Sequence, residues 1–377
     1  MDTGLQSLLL CTDDKVVRVL RRVLSEMEIG IELCTDVDAA MQKLTRQRFE
    51  AVIVDCTSHG SAISVLKGVR SAPANRRAIA VAIVEAENSS GGHAAGKHVF
   101  SVGAHFVLFK PLSLERTRSS FRAVRALMKR ERRRHARIPI ELAVEVGLEG
   151  KGSWRANTSD LGENGMALKI QSMKLPASFP LQFSLPGSSR VISCTGEVAW
   201  QGNQLAGVRF SNISAEASDQ LKQWIERQLL GEDAEEVTVC CKLTDLSLNA
   251  CYLQTESPFP VRTRLRLMMK VGELGLQIEG IVRVMQSGAG MGVEFTQHTG
   301  MQKIKVEEFI QTLVNTEGAV PDLQVRPDSI DNSADSEWEI PPGSSDPLLS
   351  LFATKADVDS ESFQIELKKQ RGAEVEA

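Results

Sequence analysis

Between residues 6 and 128, five short apolar runs (QSLLLC, IGIELC, FEAVIVD, AIAVAIV and HFVLF) alternate with segments whose apolar residues recur at helical spacing. A strand that is apolar at every position has no face to give to water. It must be covered on both sides, so the alternation predicts a parallel five-stranded sheet flanked by helices, with any site at the carboxyl ends of the strands. The helical segments are DDKVVRVLRRVLSEM, DVDAAMQKLTRQ, SAISVLKGVRS, HAAGKHVFSV and SLERTRSSFRAVRALMKR.

Near residues 128–132 the period changes. After MKRERRRHAR come short β-like segments, IPIELAVEV, GSWRANTSD, GMALKI, FPLQFSL, VISCTGEVAW and LAGVRF, with turns between them. Short strands with regular turn signals predict an antiparallel barrel or sandwich. SAEASDQLKQWIERQLL then reads as a helix N-capped by Ser214, with Leu221, Trp224, Ile225 and Leu229 on one face that could close an end of the barrel. The pattern repeats: Asp160 to Gly196 spans 36 positions and Asp245 to Gly280 spans 35. Each is followed by a Gly-Val-x-Phe strand, at Gly207–Phe210 and Gly292–Phe295, and the second by a further helix, MQKIKVEEFIQTLV. Two tandem antiparallel β-barrels are the reading.

At 377 residues the chain exceeds what one core usually serves. It divides into residues 1–128, 129–231, 232–315 and a tail, 316–377. That tail holds 14 acids against 5 bases and is rich in Pro, Ser and Asp, whereas residues 1–315 hold 34 acids and 39 bases. Such a composition cannot bury much apolar surface, so the tail is expected to be disordered, with SFQIELKK as one short element.

The strand ends of the first domain carry Thr12, Asp13 and Asp14 after the first strand, Asp55 after the third, Glu85 after the fourth, and Lys110-Pro111 after the fifth. In this placement the domain resembles a response-regulator receiver, a flavodoxin-like fold. The resemblance implies Asp55 as phosphoacceptor, Asp13 and Lys110 as the phosphorylation pocket, and Mg²⁺ held by Asp13 and Asp55, since a hard cation on clustered carboxylates neutralises phosphoryl charge. Two positions depart from the family. Thr12 stands in place of its first acid, and Glu85 stands where a Ser or Thr hydroxyl is usual and would repel a phosphoryl group. Without phosphotransfer, Asp55 is a strand-end turn residue and Lys110 a structural lysine.

At the start of the first barrel, Arg133 and Arg137 form an RxxxR pair, and Asp160–Gly165 gives a partial DxSxxG motif. The segment from about 130 to 230 resembles a PilZ domain, the bacterial receptor module for cyclic di-GMP, and 235–315 resembles it more weakly. The implied ligand carries two phosphates and guanine edges, both of which a guanidinium fork can grip. Arg133 and Arg137 suit that task, Arg134 adds charge, Asp160 can accept from guanine, and Gly165 leaves room for a planar base. Gly162 replaces the motif serine, at the cost of one neutral hydrogen bond, about 0.5–1.5 kcal/mol. A shifted frame, Asn157–Gly162, also satisfies the looser motif. The second copy has GEDAEEVTVCCK in place of the arginines and Ala250 in place of the glycine, so it is expected not to bind the nucleotide.

Other classes are excluded or left without support. No run of about 18 apolar residues offers a membrane span. MDTGLQSLLLCTDDK has no basic leader, so a cytoplasmic location is expected. Seven cysteines, Cys11, Cys34, Cys56, Cys194, Cys240, Cys241 and Cys251, contain no CxxC and read as reduced core residues. The run KRERRRHAR has no interleaved aromatics to stack bases, so nucleic acid is not indicated, and a solvated basic linker is its plain alternative. No nucleophile triad or P-loop is present, and His93 and His98 are not at metal-ligand spacing, so no enzyme is expected. The reading is a signalling protein that binds cyclic di-GMP through its first barrel and changes domain arrangement to regulate an unidentified protein partner. The rivals are an interaction scaffold and a phosphorylation-driven response regulator.

Overall fold

A computed structural model describes residues 4–57, 62–85, 99–100, 102–148, 152–171, 173–230, 241–286, 288–296, 299–316, 320–331, 346–355 and 360–373. They fall into two compact units, residues 132–236 and the remainder.

The N-terminal sheet consists of β1 (Leu5–Leu10), β2 (Ile29–Cys34), β3 (Ala51–Asp55), β4 (Ile79–Glu85) and β5 (Phe106–Lys110). All pairs are parallel and the order is β2-β1-β3-β4-β5. This is the flavodoxin-like doubly wound order, with its switch point between β1 and β3. Alternate residues of the central strands enter two separate apolar cores, Leu9, Ile53 and Val81 on one side, Leu8, Val52 and Ala80 on the other. Both faces are therefore covered, as the continuous apolar runs required. The helices are α1 (Asp14–Glu26), α2 (Val37–Arg46), α3 (Ala62–Ser71) and the long α4 (Leu114–Arg134). Asp13 and Asp36 cap α1 and α2, each side-chain oxygen accepting from first-turn N–H groups. Most of the helix read at HAAGKHVFSV, with His93 and His98, lies outside the described residues.

Residues 132–236 build a closed antiparallel barrel, β10-β11-β8-β7-β6-β9, from β6 (Ala143–Leu148), β7 (Gly152–Gly162), β8 (Gly165–Lys169), β9 (Ser178–Ser184), β10 (Val191–Gln201) and β11 (Leu205–Ser211). Strand β9 alternates strictly between exposed and buried, the period-2 pattern of a wall with one wet face. Helix α5 (Ala215–Leu230) begins after Ser214, whose Oγ accepts from Ala217 N at 3.2 Å. It buries Leu221, Trp224 and Ile225 in the barrel core. Leu229, expected on the same face, is exposed.

The second repeat forms an antiparallel sheet, β12-β13-β16-β15-β14-β17. Its strands are β12 (Lys242–Leu246), β13 (Ala250–Gln254), β14 (Thr263–Val271), β15 (Leu274–Gln286), β16 (Gly290–Phe295) and β17 (Asp322–Ile330), with α6 (Gly300–Asn315) before β17. Among the described residues this sheet is open where the first closes. The segment beyond 315 is also more structured than its composition suggested. Strand β17 pairs with β14 through Ile330↔Thr263 to Asp322↔Lys270, and α7 (Pro347–Lys355) and α8 (Ser360–Ala373) follow. Pro327 is tolerated because β17 is an edge strand and the register shifts beside it. Its few apolar residues suffice because Val325 enters the core of the second sheet and Ile330 that of the N-terminal sheet. Residues 332–345 lie outside the described residues.

The N-terminal sheet and the second repeat share one compact unit. Ala123 and Ala126 of α4 belong to the core of the second sheet, Arg130 pairs with Asp328 at 3.4 Å, and Glu131 Oε1 accepts from Ile330 N at 3.1 Å. Cys11, Cys34, Cys194 and Cys251 are buried and free, as expected of core thiols, while Cys56 and Cys241 are half-buried; Cys240 lies outside the described residues.

Candidate functional site

Two groups of the expected residues are assembled, one in each unit. At the carboxyl ends of β1, β3 and β5, Lys110 Nζ donates to Asp55 Oδ2 at 2.9 Å, to Asp13 Oδ2 at 3.3 Å and to Thr57 Oγ1 at 2.7 Å. The Asp55 side chain is fully buried and Lys110 nearly so. Strand β3 delivers Asp55 at its last residue because the preceding four are core, and β5 ends on Lys110 after buried Phe106, Val107 and Leu108 and exposed Phe109. The peptide joining Lys110 to Pro111 is cis.

Thr57 and Cys11 complete the pocket and were not foreseen. Asp55 Oδ1 accepts from Thr57 N at 3.0 Å and Thr57 Oγ1 at 2.7 Å, and Cys11 Sγ donates to Asp55 Oδ2 at 3.3 Å. The D-x-T spacing was the available signal, since an Asp side chain readily accepts from the N–H two residues on. Burial pushes the Asp55 carboxyl up, but the hydrogen bonds from Thr57 and Lys110 outweigh it, and it lies below the usual carboxylate range. Asp13 is also lowered, by the Lys15 N–H first and by Lys110 as well. Burial alone would lower Lys110; the two carboxylates raise it instead. Cys11, desolvated and beside Asp55, is pushed up to about 12 and stays a thiol.

The charge balance bears on magnesium. Asp13 and Asp55 converge on one cation, and that cation is the Lys110 ammonium. Mg²⁺ commonly uses one or two carboxylates and keeps several waters, so Asp13 and Asp55 are a sufficient donor pair if Lys110 gives way. Thr12 brings no charge, Asp14 is an exposed first-turn residue of α1, and among the described residues no group of three His, Cys, Asp or Glu is placed to hold a metal. Glu85 is exposed at the end of β4 and sits beside Lys110 in the strand register.

In the barrel unit, the chain leaving α4 is drawn onto β7. Ile138 and Leu161 exchange N–H···O bonds at 2.8 and 2.9 Å, which sets Arg137 beside the end of β7. Arg137 Nη1 donates to Asp160 Oδ1 at 3.0 Å and to the Gly165 carbonyl at 3.1 Å. Three of the five expected ligand residues thus touch. Arg133 and Arg134, both half-buried, end α4, and Ala136 N donates to the Arg133 carbonyl at 2.9 Å as the helix turns into the arm.

The two motif glycines have structural causes. A Cβ at Gly162 would stand 3.1 Å from the Ala136 carbonyl oxygen and 3.2 Å from Arg137 Cδ, so the absent serine side chain is what lets the arm lie close on β7. A Cβ at Gly165 would fall 2.2 Å from the Val208 carbonyl oxygen. Room for a base was the expectation there; what demands glycine is the approach of β8 to β11. In the second repeat, Asp245 accepts instead from Thr244 Oγ1 at 2.7 Å, and most of the stretch aligned with the arginines, residues 231–240, lies outside the described residues.

A doubly wound sheet with an acid–lysine pocket, joined through a basic helix end to a closed barrel with an arginine-bearing arm, is the arrangement of a regulatory signalling protein. Residues 131–227 match the PilZ domain, so a PilZ domain follows the doubly wound, receiver-like N-terminal domain. That match stops before the second repeat. Similar solved structures include the receiver domain of a sensor histidine kinase from Pseudomonas aeruginosa, crystallised with magnesium in its active-site cleft (19% identity over 34% of this chain and 99% of that one, TM-score 0.28). Another is a chemotaxis protein of Vibrio cholerae (21% identity, 30% and 92% coverage, TM-score 0.26). An inhibitor of motility from Bacillus subtilis is a third (20% identity, 26% and 50% coverage, TM-score 0.23). No curated protein matches the chain. Among the described residues no helix is long and apolar enough to cross a membrane.

Proposed function

We propose that the protein is a cytoplasmic signalling protein whose first barrel binds cyclic di-GMP, and that binding changes the arrangement of its domains to regulate a protein partner. The observation that carries this reading is the meeting of Arg137, Asp160 and Gly165 on the PilZ-matching barrel, with Arg133 and Arg134 a single turn upstream. Arg137 is half-exposed, so its fork can turn from Asp160 to a phosphate or to guanine O6 and N7, while Asp160 is left able to accept from guanine N–H groups.

The arm is also the covalent exit from α4, so a ligand gripping Arg133 and Arg137 acts on the segment that joins the receiver-like domain to the barrel. It can shift the arrangement only by its differential affinity for the gripped state. The Ile138–Leu161 pairing supports a pre-placed arm, and the step left to the ligand is the reorientation of Arg133, Arg134 and Arg137. Calorimetric titration of the full chain tests the reading: micromolar or tighter binding of one cyclic di-GMP site is expected, and absence of binding by folded protein overturns it.

A phosphorylation-driven regulator is the second reading, favoured by the reach of Lys110 to Asp55 with Asp13 alongside. In it Asp55 is the phosphoacceptor and Asp13 and Asp55 hold Mg²⁺. Glu85 and Thr12 weigh against it, the first by repelling phosphoryl charge and the second by withholding a carboxylate.

A further inference from the structure

The strand register of the first barrel recurs in the second sheet residue for residue. Arg209 faces Gly165, Gly207 faces Ala167, and Trp200 faces Gly207 beyond a shift after Val198. In the second sheet Glu294 faces Ala250, Gly292 faces Tyr252, and Val284 faces Gly292 beyond a shift after Val282. Ala250, Tyr252 and Val284 thus hold the outer-face positions that Gly165, Ala167 and Trp200 hold in the barrel. The two faces differ in what lies on them: Trp200 is 52% exposed, while Ala250, Tyr252 and Val284 are buried under the apolar sides of α7 and α8.

The cover is fitted in detail. Phe352 lies over Gly292 so closely that a Cβ there would stand 2.5 Å from its ring. Phe363 packs on Tyr252 with ring centroids 5.4 Å apart, and Gln364 Nε2 donates to Tyr252 Oη at 2.9 Å. Asp346 Oδ1 caps α7 by accepting from Leu348 N and Leu349 N at 3.1 and 3.3 Å. Its Oδ2 accepts from Asn249 N and Nδ2 at 3.0 and 3.1 Å. Asn249 stands in Asp245–Ala250 where Asn164 stands in Asp160–Gly165, so a carboxylate is delivered to the turn that in the first barrel belongs to the ligand motif. The apolar residues beneath the helices form a cluster separate from the interior core of the sheet, which holds Cys251, Leu253 and Val293. The helices are therefore a layer docked on the outer face, apart from the interior core.

We propose that the second repeat is a helix-binding module, that its ligands are this chain's own helices α7 and α8, and that these helices are separable and exchangeable between copies of the chain. An apolar helix pair led by an acidic cap then occupies the face on which the first repeat presents its nucleotide motif. The exchange would let the same surface act as a self-cover or as a link to a second copy.

The test uses the full chain and a fluorescent peptide of residues 346–373. A Phe352→Asp chain, whose own helices no longer seat, should capture the peptide with at least tenfold higher affinity than wild type by fluorescence polarisation. Adding Tyr252→Ala should abolish capture. A Phe352→Asp chain of wild-type circular dichroism that fails to capture, or capture equal to wild type, overturns the proposal. Should Phe352→Asp fail to fold, Asp346→Ala removes the clamp without placing charge in the apolar layer. Amide exchange in β13 and β16 should then accelerate at least tenfold with β7 and β8 unchanged; unchanged β13 and β16 overturn the proposal.

Discussion

Replacing Arg137 by alanine separates stability from recognition. In the unliganded protein Arg137 is 50% exposed and Asp160 28%, so their 3.0 Å ion pair is well solvated. Such pairs contribute about 0.2–1 kcal/mol. For a barrel of this size that corresponds to a melting shift below about 8 °C. Offered to a phosphate or a guanine edge, the same guanidinium makes charge-assisted contacts worth about 1.5–3 kcal/mol. Arg137→Ala should therefore raise the Kd for cyclic di-GMP roughly tenfold to a hundredfold while leaving the fold intact. Calorimetric titration and thermal unfolding of the same preparation give both numbers, and Asp245→Ala is the control that should change neither affinity nor stoichiometry. A folded Arg137→Ala chain whose Kd stays within about threefold of wild type would refute the assignment of the arm as the ligand grip.

Lys110→Met strips the buried Asp55 carboxylate of its ammonium and should destabilise the N-terminal unit by about 3 kcal/mol in urea titration; a loss below about 1 kcal/mol would mean that Thr57 and Cys11 satisfy Asp55 alone. Because Asp55 and Asp13 lie below their ordinary values, their stabilisation is present above about pH 4 and is lost as pH falls through the folded values, so the acid limb of wild-type stability should flatten in that variant. Gly165→Ala should cost the barrel at least about 2 kcal/mol in thermal or urea unfolding, because its Cβ meets a backbone carbonyl that cannot swing aside; a neutral outcome would show that β8 and β11 part easily. Small phosphodonors with Mg²⁺ should label the chain weakly, and Glu85→Thr should raise labelling if that carboxylate is the obstacle. Strong wild-type labelling lost in Asp55→Asn would instead favour the phosphorylation-driven reading.

What the sequence determined by itself was local: where the period changes, which strand ends carry acids and a lysine, which glycines start strands, and the 36- and 35-residue echo of one repeat in the other. Periodicity reports whether a segment has one buried face or two, and that is enough to distinguish the doubly wound sheet from the barrel. It carries no information on which strands meet. Thr57 meets Asp55 locally, two residues on, but Cys11 comes from the end of β1, and only the β1–β3 pairing brings it to Asp55. Strand β17 shows the same limit most plainly. DLQVRPDSI, with a proline and three charges, has too little apolar surface to announce a strand, yet β14 supplies the backbone partners and two different cores take up its Val325 and Ile330. The acid-rich C-terminal composition likewise hid α7, while SFQIELKK, expected as one short element, lies within α8; both helices pack on a sheet face distant in the chain, and only the tertiary structure brings that face to them.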